Sequence, residues 1–434
     1  MGCVTITAQT LSLDSCKALA MRNNATVRNA SLDVEAAREV KKQAFTKFFP
    51  QVTAIGGAYY AAKPLIEYSI DDIGNANVRQ QLHNLYFEYG AAMGLPSRLS
   101  LCENGVMAGM TALQPVFMGG QIVYGNKLAE IGVMAAELQS QLTCDQVLQL
   151  LEETYWQTLS LSEKQKTLRQ AMDFLDTLYR DVTTATNAGL VTKNDILKVT
   201  LKQDEIRSNM LKVENGIKLS TMFICQLIGI EYNENLTFMD NLPKSMNTEK
   251  LSEADVKNAV CRRKESQLLE LQIQAEKLKK DIAIGECSPH LIVGASASYG
   301  NPVFDHFSAN AMAFATLQVP LTGWWETAHK IRQQNLLIQK AENERTDLVA
   351  KMELETRQAW SNIEEADSQV ALAETSVQNA AANLQDTKTN FEAGLVPVSE
   401  LLEAQTMLLQ TQNQLTDALI DLKIKTERFK TITR

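Results

Sequence analysis

The residues from which chemistry could be built in this 434-residue chain are four histidines, seven cysteines, two loose glycine clusters and a pair of matched acids. His83, His290, His306 and His329 lie far apart and make no H-E-x-x-H or other metal-ligand spacing. Cys3, Cys16, Cys102, Cys144, Cys225, Cys261 and Cys287 form no C-x-x-C pair, so they read as small, mostly buried side chains rather than a disulfide or metal framework. Gly119 and Gly120 precede a helix-like run as an anion-binding turn would, but the rest of a dinucleotide fold does not follow. "GASASYG" at Gly294 is not a nucleophile elbow. These spacings predict no enzyme, no cofactor and no metal site. What does recur is Asp181 and Asp386, each eight residues before a glycine, Gly189 and Gly394. What two such acids could do depends on the elements that carry them.

Those glycines sit in "TNAGLVTKNDILKV" and "FEAGLVPVSELLEA", 205 positions apart, and Pro115 and Pro320 share that offset. "LSLDSCKAL" at Leu11 pairs with "LSEADVKNA" at Leu251, and "FPQVTAIGGAYY" at Phe49 with "SPHLIVGASASY" at Ser288. The chain therefore reads as a tandem duplication, which must be recognised before the fold is assigned. Repeat one covers residues 11–235, a linker 236–250, and repeat two 251–434. Only repeat one carries a long insert, residues 64–104. Residues 1–10 read as a tail compatible with an export-signal or lipidation remnant around Gly2 and Cys3.

Composition narrows the class. Aromatic residues are 6% of the chain, and Ala, Leu, Gln, Glu and Lys dominate its long segments, as in long helices. A net charge of −9 argues against wrapping nucleic acid. No apolar run reaches the ~18 residues of a membrane-spanning helix, which leaves a β-barrel open. Residues 121–186 contain no proline and two glycines, and their counterpart 326–391 contains neither. Helices of that length are rods of roughly 100 Å. Each returns as a hairpin, over 121–230 and 326–433. Leu401, Leu408, Leu415, Leu422 and Phe429 recur every seven residues, and the same phase in repeat one gives Ile196, Gln203, Met210, Ile217 and Ile224. A heptad seam of this kind packs on a neighbouring helix. The glycine of each G-L-V ends the descending helix. Thr192 with Asp195, and Pro397 with Ser399 and Glu400, start the returning ones. Shorter helices over about 14–48 and 252–285 are interrupted at "RNN" and "CRRK".

Four segments have another period: 51–62, 105–117, 290–300 and 312–321. In the last, Met312, Phe314, Thr316 and Gln318 alternate with Ala313, Ala315, Leu317 and Val319, so one face is apolar. Their length suits tilted membrane strands. Phe48, Phe49, Tyr59, Tyr60, Phe117, Trp324 and Trp325 cluster at the segment ends, as interfacial girdles do. Four strands cannot enclose a lumen, since spanning barrels need about eight. Several copies must then share one wall, and three would give twelve strands. The competing reading is a coiled-coil scaffold outside the membrane whose strands merely cap the rods.

At this point the chain resembles the TolC-like outer membrane efflux proteins. The resemblance rests on the tandem repeat, on "QPVFMGGQ" and above all on "FEAGLVPVSELLEAQTMLLQTQNQLTDA". It implies a mainly α fold with a membrane β-barrel portion: a homotrimer with a twelve-stranded barrel in the outer membrane and an α-helical barrel in the periplasm. It implies a passive exit duct of a tripartite efflux pump or type I secretion system, working with a periplasmic adaptor and an inner-membrane pump. On this reading Asp181 and Asp386 are candidates for the periplasmic gate, six carboxylates in a trimer, or else merely solvate their helices. Gly189, Leu190, Val191, Gly394, Leu395 and Val396 are candidates for the adaptor-docking tips, or else close their own turns. The 64–104 insert falls on the outer side, as a lid, a receptor surface or a loop.

Overall fold

The computed structural model describes residues 10–63, 66–90, 93, 98–101, 104–189, 191–234, 236–240, 253–301 and 307–433. In chain order the elements are β1 (Thr10–Leu11), α1 (Leu13–Asn23), α2 (Ala25–Thr46), β2 (Gln51–Tyr60), β3 (Ile66–Ser69), α3 (Ala76–Leu85), β4 (Arg98–Leu101), β5 (Asn104–Met118), α4 (Gln121–Asn187) and α5 (Lys193–Ile228). Then follow β6 (Thr237–Phe238), α6 (Glu253–Arg262), α7 (Lys264–Glu286), β7 (His290–Gly300), β8 (Ser308–Gln318), α8 (Gly323–Glu392) and α9 (Val398–Thr433). The chain divides into two compact units. One comprises Met1–Arg38, Ile131–Gln274 and Gln339–Arg434; the other, Glu39–Glu130 and Ala275–Ile338.

The two long helices form as the proline-free runs require. α4 has 67 residues and α8 has 70, with no pyrrolidine to remove a ladder donor. The expected break at "RNN" is one residue wide. Asn24 Oδ1 accepts the Thr26 and Val27 N–H groups at 2.8 and 3.2 Å and so starts α2, while its Nδ2 donates to the Leu227 carbonyl at 2.8 Å. At "CRRK" the break is Arg263, whose guanidinium reaches Glu355 at 2.9 Å.

Within the first unit three apolar clusters hold the helices. Leu151, Tyr155, Trp156 and Leu159 of α4 meet Cys16 and Ala20 of α1 and Ile224 and Ile228 of α5. Beside them β1 and β6 pair in parallel, a link that the sequence did not announce. Asp240 stabilises it: its Oδ2 accepts from the Tyr155 hydroxyl at 2.6 Å and from the Leu13 N–H at 3.0 Å. Burial, then the Asp240 carboxylate, pushes the Tyr155 hydroxyl pKa up. Burial likewise raises the Cys16 thiol to about 11, with Asp240 and Cys225 adding to it. Cys16 and Cys225 are buried, but Cys261 is exposed and Cys144 and Cys287 are half-buried, so the expectation of mostly buried cysteines holds for two of the five described. Cys3 and Cys102 lie outside the described residues, as do His306, residues 1–9 of the tail and residues 241–250 of the linker.

The second unit holds an antiparallel four-stranded sheet in the order β2-β5-β7-β8. β7 matches its expected span, and β2 and β5 differ from theirs by one or two residues. β8 begins at Ser308 and stops at Gln318, earlier at both ends than expected. Its end is set by Pro320, which has no N–H to give the ladder. Its start is set by pairing, because Gly300 opposes Ser308. The insert contains a β3–β4 hairpin and α3. Asn75 Oδ1 caps α3 by accepting from Asn77 and Val78 N–H, and His83 Nε2 lies 2.8 Å from Asp71 Oδ1.

Candidate functional site

Side chains alternate across a strand, so the register assigns each one to a face of the sheet. On one face a row runs Thr53–Thr111–Ser296–Met312, and the next runs Ile55–Gly109–Ser298–Asn310. On the other face the corresponding rows are Val52–Ala112–Ala295–Ala313 and Ala54–Met110–Ala297–Ala311. Among the residues whose side chains are described, that second face is apolar along the strands apart from the tyrosines and Gln114, whose amide donates to the Phe48 carbonyl at 3.0 Å. Within this chain it is uncovered: Val52 is 61% and Met110 57% exposed. A contiguous apolar surface of this kind calls for lipid or a partner. Among the described residues β2 and β8 each pair on one side only, leaving two open edges.

The candidate girdle aromatics take several different places. Tyr60 shares the apolar face with Tyr299, which the sequence reading overlooked although it sits at a strand end. Phe307 stacks on Tyr299 at 5.5 Å. The irregularity between Pro115 and Phe117 turns Phe117 onto the same face, beside Leu291 and Leu317. Phe48 and Phe49 pack on Phe45, at 5.7 and 5.5 Å. Trp324 and Trp325 begin α8, 60% and 79% exposed. Tyr59 points to the polar face, because it neighbours Tyr60 along the strand.

In the first unit the two hairpin tips are built alike. Gly189 and Gly394 have φ of 77° and 74°, the left-handed conformation in which a Cβ is strained. Their N–H groups return to the Thr186 and Phe391 carbonyls at 2.9 Å, and Leu395 N–H reaches Asn390 O at 2.9 Å. Val398, Leu401 and Leu402 of α9 pack with Leu175, Leu178 and Val182 of α4 and Val199 of α5, which joins the two tips in one cluster. Gln203, the polar member of the heptad phase, is buried there, and its Nε2 donates to Asp176 at 2.7 Å. Asp181 and Asp386 are both exposed, each followed by a buried residue, Val182 and Thr387. Of the docking candidates, Val191 packs against the cluster and Val396 is half-buried, whereas Leu395 is 74% exposed. Leu190 lies outside the described residues.

The first tip carries its own pH dependence. Asp195 Oδ2 accepts from the Thr192 hydroxyl at 2.7 Å and the Thr192 N–H at 3.2 Å. The Thr192 hydroxyl, with Lys198 adding, holds the carboxyl below its ordinary pKa against the effect of burial. A depressed folded-state pKa contributes stability that is present above the unfolded value and lost as the pH falls through the folded one. Asp195→Ala is therefore expected to cost about 1 kcal/mol near neutral pH. The difference from the parent, measured by urea unfolding, should shrink on acidification below about pH 4.

Long helical hairpins in tandem and a four-stranded antiparallel sheet that is apolar on one face define the architecture. Residues 256–433 match the outer membrane efflux protein family. The resemblance and the outer-membrane location read from the sequence are thereby borne out. Curated proteins gave no match. Among solved structures the fold is similar to CusC, described for folding and transmembrane channel formation: 13% identity, 97% of this chain, 91% of that one, TM-score 0.80. It is similar to the Campylobacter jejuni CmeC outer membrane channel, with 14% identity over 97% of this chain and 85% of that one and a TM-score of 0.76. The open state of the Neisseria gonorrhoeae MtrE outer membrane channel matches at 13% identity over 100% and 93%, TM-score 0.76. At such identities the likeness is one of fold.

Proposed function

We propose that this protein is the exit duct of a tripartite efflux pump or a type I secretion machine. Three copies join their sheets edge to edge into a twelve-stranded barrel in the outer membrane, and the helices extend into the periplasm. The observation that carries this reading is the sheet: an apolar face together with two open edges. In lipid an unpaired edge leaves backbone groups without partners, so edges must close on other copies. An even number of strands per copy keeps the pairing antiparallel around such a ring. Purified in detergent, the protein is expected to migrate as a trimer and to give stepwise conductance in planar bilayers. A monomer that remains soluble without detergent would overturn the reading.

Asp181 and Asp386, exposed on α4 and α8 at matched distances from their tips, serve as the gate acids. Replacing both with alanine should lower the cation preference of single channels; unchanged selectivity and conductance would remove them from the gate. Leu395 supplies the apolar contact for an adaptor. Leu395→Glu should abolish export while the trimer persists, and intact adaptor cross-linking and drug resistance would refute that role.

A further inference from the structure

We propose that the polar face of the sheet is a charge-neutral lumen wall, so that the strands pass cations and anions alike and discrimination is left to the helical part. This rests on the duct reading above. β2, β5, β7 and β8 contain no Asp, Glu, Lys or Arg at any position, and their one histidine, His290 at the start of β7, has its Nε2 3.2 Å from Gln121 Nε2. For the apolar face the bilayer imposes this, since a charge there is costly. For the polar face it does not, because lumen positions tolerate charge and use it to set selectivity. The rows on that face instead offer hydroxyls and an amide, from Thr53, Thr111, Ser296, Ser298 and Asn310. Ile55 and Met312 stand exposed on the same face and carry no charge, and the phenylalanine there is folded onto the wall. Phe314 lies over Gly294 so closely that a Cβ there would meet the ring Cε2 at 2.8 Å, and Leu113 Cδ2 at 2.9 Å from the other side. Ions crossing this stretch meet dipoles, which can turn toward either sign, and no fixed charge.

The test uses the full chain in planar bilayers under a potassium chloride gradient. Ser296→Asp and Ser296→Lys place three charges on the proposed wall. They are expected to move the potassium-to-chloride permeability ratio in opposite directions, each by about threefold or more. Ala295→Asp, one residue along and on the other face, is expected to reduce the yield of pores instead. A ratio unchanged in both Ser296 variants, with pores forming normally, would overturn the proposal, and so would normal pores from Ala295→Asp. If the parent itself forms no pore, the duct reading fails rather than the placement of the wall.

Discussion

Arginine in place of Ala112 is expected to keep the chain from assembling in lipid, whereas arginine in place of Thr111, its neighbour, is expected to be carried. Ala112 lies between Val52 and Ala295 on the apolar face, and Thr111 between Thr53 and Ser296 on the polar one. A charged side chain facing the bilayer midplane costs about 2–4 kcal/mol, and the cost falls toward the interfaces. Three copies in one wall would each bear it, against a total stability of the order of 5–15 kcal/mol for an ordinary domain. On the lumen side the guanidinium stays in water. The measurement is the fraction of protein that inserts into vesicles and resists heat dissociation, compared across the two variants at matched expression. An equal loss from both would show that the two faces are not lipid and water, and the alternation of the sheet would lose its meaning.

The long hairpins were legible because their punctuation is local. Gly189 and Gly394 are needed for a left-handed turn, and a proline-free run between such marks leaves a helix little alternative. The strands were legible as segments, less so as faces. In β2 the polar face includes Ile55 and the apolar face Gly56, so the alternation is blurred until the pairing with β5 and β7 fixes it. The start of β8 was hidden for a related reason: Ser308 to Ala311 alternate, but Ser, Ala and Asn are weak strand formers, and only the cross-strand partner extends the ladder to them. The β1–β6 pair gave no signal at all. Two residues are too few for a pattern, and the Asp240 carboxylate that closes it accepts from Leu13, 227 positions away. The tips show the limit of what a short motif reveals. In the repeated G-L-V the matching valines, Val191 and Val396, are both half-buried, whereas Leu395 faces outward, and the letters alone do not say which apolar residue does so.

The same limit appears where the strands give way to helices, and it carries the last large effect. Gly119, at the end of β5, crosses Gly285 at the end of α7. A Cβ on Gly119 would overlap the Gly285 carbonyl oxygen and sit 2.7 Å from Ser288 Cβ, on a backbone with φ of 61°. Gly119→Ala should therefore combine about 1–2 kcal/mol for the left-handed conformation with about 1–3 kcal/mol for forcing two backbones apart. Gly285→Ala meets Gly119 O at 2.5 Å and Gln121 Cγ at 2.9 Å without a positive φ, so it should cost only the second part. Gly120→Ala, at φ of 80°, meets the Tyr124 ring edge at 2.9 Å. That ring can swing aside, which leaves mainly the first part. The matching junction in repeat two is roomy, since a Cβ on Gly323 finds Pro320 Cβ at 3.5 Å. Gly323→Ala should accordingly be neutral or slightly stabilising, because alanine is the better helix former. Heat-dissociation temperatures of the four variants should fall in that order, Gly119→Ala lowest and Gly323→Ala highest. If Gly119→Ala matched the parent, the crossing would not be the close contact that makes this repeat's strand-to-helix junction rigid, and the glycine pair would revert to an ordinary turn.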